Sequence, residues 1–150
     1  MDESSIRADF ARLVFQRFTE DDAWNLGETL VRLAREAGHP VVIDIRTPDR
    51  TLFHAALPGS GPLNDNWARR KSNTALLFQL PSLLIGIRNR AKGQTLAHDG
   101  LDSADFADHG GAVPIRVEGV GVVACATVSG LPQVEDHDLV IAAIEALLAA

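Results

Sequence analysis

The chain has 150 residues, 46% of them hydrophobic, and a formal net charge of −6. That length and apolar content fit one domain with one core. The acidic balance argues against a general nucleic-acid binder, which needs clustered Lys and Arg. Its apolar runs fall short of the roughly 20 residues of a membrane span, and the polar start MDESSIRADF does not read as a signal peptide. The expectation is a cytoplasmic protein of one domain, 1–150, with no nucleic-acid or membrane partner. The lone Cys125 fits a reducing compartment.

Residues 1–18 are a loosely docked N-terminal segment in this reading, with Phe10, Leu13, Val14 and Phe18 at helical intervals. Thr19 and Asp22 have the spacing of a capping box. Ala23, Leu26, Leu30, Leu33 and Ala37 then mark one face of a helix that Gly38 and Pro40 end. Trp24, beside that stripe, reads as a packing anchor.

VVIDIRT and TLFHAAL flank the turn Thr47-Pro48-Asp49-Arg50, which predicts an antiparallel hairpin over 41–57. A Pro/Gly/Asn loop follows, with Asn64 or Asp65 as candidate caps for a helix to Phe78. Pro81 interrupts, and Ser82 to Arg90 form another helix. Residues 93–112 read as a loop. In the C-terminal third, Val113, Ile115 and Val117 alternate with Pro114, Arg116 and Glu118, the period of a half-buried strand. Gly119 and Gly121 bracket a reversal, and the returning strand, apolar on both faces, is predicted to be central. A helix from near Pro132 closes the chain. Two hairpins separated by helices make an α+β domain, one antiparallel sheet covered by helices.

Motifs for chemistry are sparse. HExxH, CxxC, GxGxxG and GxxxxGK[ST] are all absent from the sequence, so no metal site is assigned and catalytic residues stay unknown. Two features stand out. His109 precedes Gly110-Gly111, whose bare amides suit an anion and whose imidazole suits a metal or haem iron; the plainer reading is a turn into the strand. Arg69, Arg70 and Lys71, with Trp67 and Asn73, form the one dense basic cluster, which reads equally as a carboxylate-binding patch or as a subunit interface. His137, between Asp136 and Asp138, reads first as a surface histidine and second as a general base. His54 and His98 have no evident partners. Asp99, Asp102, Asp105 and Asp108 read as a solvated acidic loop rather than a calcium site. Cys125 reads as a small buried hydrophobe.

The stretches WARRKSNTALLF, AKGQTLA and HGGAVPIRVEGVGVVACATVSGLPQVEDHDLV resemble an uncharacterised family of small proteins grouped with the haem-degrading-domain superfamily of GlcG-like and HbpS-like proteins. The most specific parts are Arg70-Lys71, the HGG turn at 109–111 and the run from Ser129 to His137. The resemblance covers roughly residues 20 to 148. It implies a profilin-like α/β sandwich and self-assembly into dimers or larger rings. Haem is the named candidate for a small anionic ligand, because some relatives bind it. The expected function is therefore ligand binding at Arg69, Arg70, Lys71, Asn73, His109, Gly110 and Gly111. The alternative is a non-enzymatic homo-oligomeric assembly module, with a small hydrolase or lyase third.

Overall fold

A computed structural model describes residues 2–150. Asp2 accepts from the Ser5 amide and starts α1 (Glu3–Arg12). The short strand β1 (Val14–Phe15) follows. Next come α2 (Glu20–Glu36), the hairpin β2 (Val42–Arg46) and β3 (Thr51–Ala56), α3 (Pro62–Phe78) and α4 (Ser82–Lys92). A 3-10 turn at Leu96–Asp99 interrupts the long loop before the hairpin β4 (Ala112–Val117) and β5 (Gly121–Ser129); α5 (Gln133–Ala149) closes the chain.

The sheet order is β1-β4-β5-β2-β3, so β5 is central, as its two apolar faces require. The hairpins pair antiparallel, but β1 pairs parallel with β4, Val14 opposite Arg116. The antiparallel expectation thus holds for four strands, and the fifth makes the sheet mixed. Two residues of β1 carry no readable period.

One face of the sheet is the main core. Ile43, Ile45, Val113, Ile115, Ala124, Ala126 and Val128 are fully or almost fully buried there with Leu26 and Leu30 of α2 and Val140 and Ile144 of α5. At about 1.5–3 kcal/mol for each fully buried Val, Leu or Ile side chain, this face is the main apolar contribution to stability. The other face is covered by α3. Because both faces are covered, β4 is buried from Ala112 to Ile115, Pro114 included, rather than half-buried as its alternation suggests.

The N-terminal segment is built into the fold. Ile6 is fully buried against Leu83 and Leu84 of α4, and Phe10 and Leu13 join the main core. Thr19 and Asp22 form the predicted capping box, each side chain accepting from the other's backbone N–H. The start of α3 lies earlier than predicted. Gly61 is its N-cap and Pro62 its first residue, while Asn64 turns back to accept from the Gly61 amide at 2.9 Å. Trp24 is 55% exposed and meets the Phe53 ring edge-on, so it covers the hairpin instead of anchoring the core. Among the described residues no helix is long and apolar enough to cross a membrane.

Candidate functional site

The HGG turn and the basic helix meet in space, and they divide the basic cluster into two kinds of residue. On α3, Ala68, Lys71, Ser72 and Ala75 follow the 3–4 spacing of one helical stripe, and all four are buried against the sheet. Lys71 is therefore turned inward. Its Nζ donates to the Gly110 carbonyl at 2.9 Å, to the Val128 carbonyl at 2.7 Å and to Asp136 Oδ2 at 3.2 Å. Three acceptors around one nitrogen suit the three N–H groups of an ammonium. Burial pulls the Lys71 pKa down, and the Asp136 carboxylate opposes that. Asp136 also accepts from the Leu131 amide at 2.9 Å and the Gly130 amide at 3.3 Å. This buried pair ties α3, the HGG turn, the end of β5 and the first turn of α5 together.

Arg69, Arg70 and Asn73 face the other way and hold the acidic loop. Arg69 donates to Asp105 at 3.1 Å and to the Ala104 carbonyl at 2.8 Å. Arg70 Nε donates to the Ser103 carbonyl at 2.9 Å, and Asn73 to the Asp105 carbonyl at 2.8 Å. Asp108 accepts from Asn89 at 3.0 Å. No group of acidic, His or Cys side chains among the described residues is arranged to hold a metal ion.

Gly110 and Gly111 are required by space. A Cβ on Gly110 would collide with the Gln133 carbonyl, and one on Gly111 with Lys71 Nζ and the Val128 carbonyl. Gly111 is also at φ +136°, which L side chains rarely adopt. The Gly110 amide donates to the Gln133 side chain at 2.9 Å. Of the two amides proposed for an anion, that one is taken within the protein.

His109 extends outward from this turn. Its ring lies edge-on to Trp67 at 5.0 Å between centroids, and the Arg70 guanidinium covers the Trp67 ring at 4.4 Å. Two cavities open beside His109. One, of about 280 Å³, is lined by Trp67, Lys71, Gly110, Gln133 and Asp136. The other, of about 550 Å³, lies under the acidic loop against Arg70, Leu96, Leu101, Phe106 and Ala107. Burial lowers the His109 pKa, with Asp108 opposing and Arg90, Lys71 and Arg70 reinforcing. The imidazole is therefore neutral at pH 7 and carries a free lone pair.

Two other histidines, His137 and His54, are placed differently from their sequence readings. His137 is fully buried, not on the surface, and neither ring nitrogen has a hydrogen-bond partner. It is not joined to Asp136, whose oxygens serve Lys71 and backbone amides. His54 has two partners that sequence spacing did not reveal. Nδ1 lies 2.8 Å from Asp44 and Nε2 2.9 Å from Asp65, while Arg46 clasps the fully buried Asp44. Only the register Asp44↔His54 brings that cluster together. Cys125 is fully buried as expected, its pKa pushed up to about 12, first by burial.

The architecture is a five-stranded mixed sheet between helical layers, with a histidine-bearing turn opening onto two cavities: a domain of the α+β class. The model of the haem-degrading HbpS-like proteins matches residues 18–145, and the chain belongs to that family. It is similar to the UPF0303 protein SCO2848 of Streptomyces coelicolor, 56% identical over 135 residues and covering 89% of this chain and 85% of that one. Among solved structures, the Ybr137w protein superposes with a TM-score of 0.89 at 33% identity, covering 99% of this chain and 88% of that one. The structure of a PduOC:heme complex superposes with a TM-score of 0.72 over 89% of this chain and 95% of that one; at 20% identity that likeness concerns the fold.

Proposed function

We propose that this protein binds a small anionic molecule, with haem the named candidate, in the groove that opens on both sides of His109. The observation that carries this is the position of His109: it lines both cavities, and its ring makes no hydrogen bond among the described residues. Bound haem would supply an iron, which the His109 imidazole would hold. The residues present fit that group. His109 offers a neutral imidazole, tyrosine is absent and Cys125 is buried. Leu96, Leu101 and Phe106 give the larger cavity an apolar wall, and Arg70 supplies a cation whose Nη groups make no hydrogen bond among the described residues. Gly110, Gly111 and Lys71 set the turn, and Arg69 and Asn73 hold the loop that roofs the cavity. The family description and the haem complex of PduOC support the same choice of ligand.

Titration with haemin tests it. The expected result is a saturable Soret shift at one equivalent per chain, lost in His109→Ala and weakened in Arg70→Ala. A flat or non-saturating response in the wild type overturns the haem assignment. Cytoplasmic placement belongs to the same reading.

A second reading is self-assembly into a dimer or larger ring. Leu63 at 69% and Val120 at 71% exposure are the apolar side chains such an assembly would cover. If Arg70→Ala breaks an oligomer in size-exclusion chromatography with no ligand present, the patch is an interface. Lys71 is unsuitable for that experiment, because it is part of the buried frame.

A further inference from the structure

A separate cavity of about 380 Å³ lies at the opposite corner, between α1, the junction of α3 with α4, and the start of β5. Arg7, Phe10, Leu80, Arg116 and Val122 line it. Arg116 projects from β4, its guanidinium 4.0 Å over the Phe10 ring, and one Nη donates to the Phe10 carbonyl. Its Nε is buried and has no partner. Of the other partly or fully buried cations, Lys71 is matched by Asp136 and Arg46 by Asp44, while Arg70 stands at the His109 groove. Arg116 is bound to no carboxylate among the described residues, and burial lowers its pKa with no acid opposing. An unpaired, half-buried guanidinium in a chain of net charge −6 is a desolvated cation without its counter-charge. Arg7 adds a second cation at the same cavity, paired only at 3.8 Å with the solvent-exposed Glu3.

We infer that this corner binds a small organic carboxylate with an apolar body. The carboxylate takes the Nη of Arg116 that the Phe10 carbonyl leaves free, with Arg7 beside it. The body packs on Phe10, Leu80 and Val122. The volume is in the range of small-molecule sites. This site shares no lining residue with the His109 groove, so the two stand or fall separately.

Calorimetric titration of the full chain with benzoate, against benzamide as the uncharged isostere and inorganic phosphate as the anion without an apolar body, tests it. Benzoate is expected to bind saturably and at least about tenfold more tightly than either, a difference of about 1.4 kcal/mol. Arg116→Met should remove the binding, and His109→Ala should leave it unchanged. Should Arg116→Met fold poorly, Val122→Glu gives an independent readout. Val122 faces Arg116 across the β4–β5 ladder, so the new carboxylate meets the guanidinium directly. That variant should lose benzoate binding and melt higher than the wild type. Equal affinity for benzoate and benzamide, equal affinity for phosphate, no saturable benzoate signal, or a lower melting temperature in Val122→Glu each overturns the inference. So does a change in subunit number in Arg116→Met with benzoate silent, which would make the missing anion a carboxylate of a second copy.

Discussion

Lys71 shows how one residue type can change role with its place on a helix. Arg69, Arg70 and Lys71 are adjacent in sequence, yet successive helical residues are turned about 100° apart, so the three cannot all lie on one face. Replacing Lys71 by Met keeps most of its volume but leaves Asp136 buried without its cation and two carbonyls without their donor. The expected loss is about 3–5 kcal/mol, read as a lower denaturant midpoint with little change in slope. A loss below about 1 kcal/mol would show that Asp136 is neutral in the fold. Cys125 offers a second residue-scale check. Its thiol is fully buried and its pKa is raised to about 12, so a thiol reagent should label it only after denaturant is added. Rapid labelling of the folded protein would contradict the placement of β5 under α3.

At the scale of elements, α1 is the one whose weight the sequence conceals. Its apolar positions are few, but Ile6 is fully buried against Leu83 and Leu84. Ile6→Ala should cost about 2–5 kcal/mol by chemical denaturation, the range for a buried Ile; a neutral result would mean that α1 detaches freely. The longer elements were legible because each has its own period: α2 with its capping box, the two hairpins and the closing helix all lie close to where patterning puts them. The start of α3 was misplaced because Asn64 serves as the third residue of the helix rather than its cap. The site was legible only in part. That Lys71 belongs inside could have been read from the spacing of Ala68, Lys71, Ser72 and Ala75. The meeting of His109 with Trp67, and of His54 with Asp44 and Asp65, could not, because those contacts depend on strand register and helix placement rather than on local sequence.

For the molecule as a whole, the acid limit of stability is set by groups that the fold keeps uncharged. His137 is fully buried with no partner, and burial lowers its pKa from the usual 6.5, Asp138 and Asp9 opposing only in part. His109 is shifted the same way. For each, the folded state holds the proton less tightly than the unfolded chain. Between the lowered value and 6.5 the unfolded chain therefore binds more protons, and stability rises with pH across that window. Stability should consequently fall as pH drops below about 6.5, by up to about 1.4 kcal/mol per pH unit for each such proton. Asp136 acts oppositely in sign, since burial raises its pKa and the folded state then holds its proton more tightly. Protonating it on acidification therefore favours the folded state, so the loss on acidification belongs to the histidines. His137→Phe removes one of the two, along with two unsatisfied nitrogens. Urea unfolding from pH 7.5 down to 5 should give the wild type a descending curve and His137→Phe a flatter one that is at least as stable at pH 5. His109→Ala should flatten it too, since the groups are independent, and the double variant should be flattest. If His137→Phe instead runs parallel to the wild type, a partner for that imidazole is present in solution and its charged form is tolerated inside.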